Sequence, residues 1–146
     1  KGLPLGGGTL HKMAPAFDMG DILLEETFPI RPEETLVSYM EQVYAKVPEM
    51  ARRLVRDLPG LLAGAQPQGE GLYWPIPTEA DWTVTSEMDV EQADRILRAF
   101  YGYECIYQGG GRRFELIGGR ALPGPNTGPP FPVQGRYLQA ERIREL

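Results

Sequence analysis

The sequence has one cysteine, one histidine and no long apolar run. Cys105 standing alone excludes an internal disulfide and fits a reducing compartment, so a cytoplasmic location is expected. No stretch approaches the ~18 consecutive apolar residues that a membrane-spanning helix needs, and the first residues lack the pattern of a secretory leader. With 15 Lys and Arg against 20 Asp and Glu, the net charge of -5 gives no basic footprint for DNA. His11, Asp18 and Asp21 have too few ligands and no recognised spacing for a metal, so none is expected. The chain opens on Lys1, not on methionine, and a fragment or a processed form is expected.

What is present reads as a soluble globular protein. Its 146 residues suffice for one domain or two small ones, and 42% apolar with 24% charged residues is ordinary. Glycine (18) and proline (14) gather in loops and form no repeat. Residues 1–8 form a Gly- and Pro-rich lead-in to a strand. Gly6, Gly7 and Gly8 are followed by neither a helix nor a Lys-Ser/Thr pair, so they do not make a phosphate cradle.

Residues 8–24, GTLHKMAPAFDMGDILL, read as strand, loop, tight turn, strand. Residues 13–17 contain Pro15 and no alternation, which marks the loop. Gly20 is expected to take a turn position with positive φ. Residues 22–30 form a second strand that ends near Pro29.

From Leu36 to Leu61 apolar residues recur at steps of three and four, which predicts a long amphipathic helix. Pro48 should kink it or start a second helix, and Gly64 is a candidate cap at the far end. Residues 65–78 form a connector carrying Tyr73 and Trp74. Asp89, with Gln92 three residues on, starts a short helix whose buried face is Ala93, Ile96, Leu97 and Phe100. Residues 104–107 and 113–117 flank a Gln-Gly-Gly-Gly turn and read as a hairpin. Residues 122–132 form a Gly/Pro loop, and residues 136–143 a final strand.

The pattern Thr9-Leu10-His11-x-Met13, a short loop, then Asp18-x-Gly20-Asp21-Ile22-Leu23 resembles the 10-formyltetrahydrofolate-dependent formyltransferases. That family includes the methionyl-tRNA and amino-sugar enzymes. The helix ending LPGLLAG, the segment AQPQGEGLYWPIPTEADWTV, the ADRILRAF helix and the closing strands are similar to later parts of the family, in the same order. The resemblance implies an α/β class: residues 1–76 as the C-terminal part of a Rossmann-like catalytic domain, and 77–146 as a small, mainly β subdomain.

It implies transfer of a formyl group from 10-formyltetrahydrofolate to a primary amine of methionyl-tRNA or an amino-sugar nucleotide, with no membrane or DNA partner. The net charge does not exclude a tRNA substrate. By the same resemblance Asp18 is the catalytic carboxylate, and Ala14, Pro15, Ala16, Phe17 and Asp18 line the pterin pocket. Read from residue chemistry alone, Asp18 more readily makes an Asx-turn to its own backbone.

The family's Asn-x-His pair does not occur before Asp18, and His11 lies in the TLH element. An imidazole partner for Asp18 is therefore expected outside the chain, and His11 is expected to be structural. Cys105 reads as a small buried residue. Arg52, Arg53 and Arg56 read as a solvated basic face. The alternative is a non-catalytic binding or assembly module. Without an upstream half, an exposed helix face and sheet edge would favour self-association.

Overall fold

The computed structural model describes residues 2–69, 71, 74–122, 131–133 and 136–146. They form two compact units. The first consists of Leu3–Pro32 and Ser38–Trp74; the second has Glu33–Val37 and Pro75–Leu146 as its main parts. The class is mixed α/β, as expected.

In the first unit, strands β1 (Leu5–His11) and β2 (Ile22–Pro29) pair antiparallel. The ladder runs from Leu5 opposite Pro29 to Leu10 opposite Leu24, then shifts so that His11 faces Ile22. The glycine run expected to lead into the strand lies inside it. Gly6 sits beneath the rings of Tyr39 and Phe28, which themselves meet at 5.4 Å, and a Cβ there would collide with Tyr39. The lack of a side chain is what lets an aromatic ring lie against the strand.

Helix α1 (Leu36–Arg56) runs through Pro48. The missing donor of Pro48 orphans the carbonyl of Tyr44, an exposed residue whose backbone water can satisfy. The second helix begins later, as α2 (Leu58–Ala63), where the Asp57 carboxylate accepts from the backbone N–H of Gly60. Pro59 falls in its first turn and Gly64 caps its end.

The second unit opens with a 3-10 turn, Glu79–Trp82, on which the Asp81 side chain accepts from the Thr78 backbone N–H. It continues through β3 (Thr83–Thr85), α3 (Val90–Ala99), β4 (Cys105–Gly109) and β5 (Arg112–Ile117). Next come β6 (Arg120–Leu122), β7 (Pro132–Val133), β8 (Arg136–Gln139) and β9 (Arg142–Glu145). The Asp89 carboxylate caps α3 by accepting from the backbone N–H groups of Glu91 and Gln92. Gly110 and Gly111, both at positive φ, close the expected β4–β5 hairpin in two residues.

Two sheets result, in the orders β3-β4-β5-β9 and β6-β8-β7, with β3 parallel to β4. The expected final strand is two strands in different sheets. The chain turns at Ala140 and Glu141, where the Glu141 N–H donates to the Ile117 carbonyl. Of the expected 122–132 loop, residues 123–130 lie outside the described residues, as does Tyr73 of the connector.

The core of this unit gathers Val84, Ala93, Leu97, Cys105, Tyr107, Leu116 and Phe131. Tyr107 and Phe114 each meet Phe131 edge-on at 5.0 Å. Leu97→Ala leaves a cavity in this cluster, so stability should fall by about 2–5 kcal/mol, read as a lower urea midpoint at unchanged slope.

Candidate functional site

The β1–β2 connection, residues 12–21, is closed at its base and open at its tip. At the base the Lys12 N–H donates to the Asp21 carbonyl at 2.9 Å, and the Lys12 ammonium meets the Asp21 carboxylate at 3.0 Å. A neighbouring segment braces the same point. Ile22 and Gln66 exchange backbone hydrogen bonds of 2.7 and 3.0 Å, and Gln68 Nε2 donates to the Gly20 carbonyl at 2.6 Å. Gly20 itself is buried, and a Cβ on it would overlap the Lys12 carbonyl. Its φ is not positive, contrary to expectation; close approach is what requires glycine here.

The left-handed position belongs instead to Asp18, at φ 53°. Aspartate tolerates that region better than most residues because its short side chain can bond locally. Met13, Phe17, Asp18 and Met19 are all exposed, Phe17 at 99%. Pro15 and Ala16 are exposed and Ala14 half-buried. Among the described residues, no backbone–backbone hydrogen bond joins residues 13–19 to another part of the chain. The loop therefore holds a carboxylate and a run of peptide groups out from a pinned base.

His11 takes a place that sequence reasoning did not give it. Its Nδ1 donates to the Lys12 carbonyl at 2.9 Å, and its Nε2 lies 3.6 Å from Asp18 Oδ1. An imidazole of this chain thus stands beside Asp18, where the sequence pointed to one from outside. Asp18 is open to water, so the pair adds little to stability, but it sets the two groups side by side. The signal lay in the seven-residue spacing across a loop, and nothing local shows that the loop folds back.

Other titratable groups are engaged elsewhere. Burial pushes the Cys105 thiol up to about 11, which leaves it protonated and unreactive near neutrality. The Glu141 carboxylate beside Tyr101 raises that phenol, and Arg112 holds Glu145 below the usual carboxylate range. Arg53 pairs with Glu26 at 2.6 Å and Arg52 with Glu49. Among the described residues, no three His, Cys, Asp or Glu side chains are grouped to hold a metal ion. No helix among them is long and apolar enough to cross a membrane.

No family model matches the chain. It is 27% identical over 133 residues to a methionyl-tRNA formyltransferase of Deinococcus radiodurans, covering 85% of this chain and 41% of that protein. HypX from Aquifex aeolicus in complex with tetrahydrofolic acid superposes with a TM-score of 0.74 at 20% identity, over 99% of this chain and 28% of HypX. A methionyl-tRNA formyltransferase from Clostridium thermocellum gives 0.67 at 17%, over 99% and 58%. The chain thus spans less than two thirds of each of these relatives.

The fold is the mixed α/β arrangement of the C-terminal part of formyltransferases. With the sequence relative added, the chain is similar to the C-terminal portion of formyltransferases.

Replacing Gly20 by Ala drives a methyl group into the Lys12 carbonyl and opens the loop base. A loss of about 1–3 kcal/mol is expected in chemical denaturation, with faster hydrogen exchange at Lys12 and Ile22.

Proposed function

We propose that the chain is part of an enzyme that moves a formyl group from 10-formyltetrahydrofolate to a primary amine, and that Asp18 is the carboxylate of that reaction. The observation that carries this reading is the loop itself: Asp18 is held at φ 53° on a tip whose base is fixed by Lys12, Gly20 and Asp21. The relative's name and the tetrahydrofolate complex of HypX support it.

Residues 14–17 fit a flat heterocycle with alternating donors and acceptors. Ala14, Ala16 and Phe17 supply peptide N–H and C=O groups, Pro15 a carbonyl alone, and the small side chains leave the backbone accessible. The bound folate would supply the formyl carbon. Attack by the amine turns the formyl oxygen into an oxyanion, and the attacking nitrogen must lose a proton while the leaving nitrogen gains one. Asp18 would serve by accepting a hydrogen bond from an imidazole or a water, fixing the tautomer or position in which that group moves the proton. The acceptor is methionyl-tRNA or an amino-sugar nucleotide, and the setting is cytoplasmic.

The near-complete exposure of Asp18 suits a second reading, a binding or assembly module without catalysis. Asp18→Asn in the full-length protein separates the two. Formyl transfer should fall at least ~100-fold, the scale of a lost proton-transfer partner. The melting temperature should hold, because the side chain is 94% exposed. Full activity in that variant would remove Asp18 from the reaction and favour the module.

A further inference from the structure

His11 is the last residue of β1, and the β1–β2 ladder shifts register between Leu10 and His11. A shift of this kind re-aims the side chain beside it. The ring is then held by its own stem. Its Nδ1 donates to the Lys12 carbonyl at 2.9 Å. Gly20 leaves room for both groups, since a Cβ there would overlap that carbonyl and lie 3.3 Å from Nδ1. With Nδ1 committed, Nε2 is the ring atom left to act, and it stands 3.6 Å from Asp18 Oδ1.

The neighbouring charges are engaged with each other, for the Lys12 ammonium meets the Asp21 carboxylate at 3.0 Å. Asp18 sits at φ 53°, a sparsely populated region that persists where the surroundings determine it. Among the described residues no backbone–backbone hydrogen bond ties residues 13–19 to another part of the chain. The His11 ring is thus a point at which the exposed tip comes back to its fixed stem.

We propose that His11 is a positioning residue for the Asp18 carboxylate. The neutral ring has a lone pair at Nε2, so it meets Oδ1 as one acceptor facing another. The contact closes when a donor stands between them, either a proton on Nε2 or a water that gives a hydrogen to each. Oδ1 is then drawn to the stem, the carboxylate takes one orientation, and its second oxygen is left for the reacting group. The ring acts through Asp18 and not on the substrate. The inference rests on the reading of Asp18 as the carboxylate of formyl transfer.

Two substitutions separate this role from a purely structural one. His11→Asn keeps an amide N–H near the place of Nδ1, and His11→Gln keeps one near the place of Nε2. Both are assayed in the full-length protein with 10-formyltetrahydrofolate, using methionyl-tRNA and an amino-sugar nucleotide in turn as acceptor. His11→Asn should lower kcat by roughly 10–100-fold at unchanged KM for the donor. His11→Gln should restore most of that loss. The opposite order, an active His11→Asn beside a crippled His11→Gln, makes the bond to Lys12 the one that matters and overturns the proposal. So does equal activity of the two variants.

Nitrogen-15 spectra of the histidine ring give a reading that needs no acceptor, the His11 signals being those that vanish in His11→Asn. Asp18→Asn should move the Nε2 signal and leave that of Nδ1 in place; an unmoved Nε2 signal overturns the pairing. A fully active Asp18→Asn removes the carboxylate from the reaction and this proposal with it. An inactive Asp18→Asn beside a fully active His11→Asn overturns the role of His11 alone.

Discussion

The approach of Gly20 to the Lys12 carbonyl is the constraint on which the candidate site depends. With no side chain at residue 20, the two stems of the β1–β2 connection close together, and Lys12 can bond to Asp21 through both backbone and side chain. Once the base is closed, the seven residues 13–19 must project beyond it, and Asp18 turns into the left-handed region at the tip. Residues 66 and 68 brace the base through Ile22 and Gly20, so the site draws on chain more than forty positions away in sequence. Rigid stems with a free tip suit a loop that must present a carboxylate without collapsing onto it.

The second unit is organised by different means. Three aromatic rings, Tyr107, Phe114 and Phe131, interlock at its centre. At one margin Asp94 accepts from Arg98 at 2.7 Å and from the Ala121 N–H at 3.1 Å, while Arg98 also donates to the Glu34 carbonyl at 2.8 Å. That network fastens residues 33–37 and β6 to α3, and it explains why the short piece leading into α1 belongs to the later unit. Among the described residues no buried side-chain polar atom lacks a partner.

Much of this was legible because it is local. The caps at Asp89 and Gly64, the hairpin around Gly110 and Gly111 and the long amphipathic helix all follow from neighbours within four residues. The readings that changed each depended on a distant residue. Pro48 did not divide the helix, and the second helix starts instead at Leu58, where the Asp57 carboxylate accepts from the Gly60 N–H. The last strand split because Glu141 reached back to Ile117. Gly20 and Gly6 are glycines because the Lys12 carbonyl and the Tyr39 ring occupy the space a side chain would need, and neither neighbour is adjacent in sequence.

The sequence by itself determined the α/β class, the start of α3 at Asp89 and the end of α2 at Gly64. Periodicity, capping and turn chemistry are set within a few residues and need no fold to act. Only the tertiary structure decided that His11 stands 3.6 Å from Asp18, that β3 runs parallel to β4, and that one apolar side of α1 is covered while the other is bare. Those outcomes depend on which distant segments meet, and contact between them is fixed by packing across the whole fold.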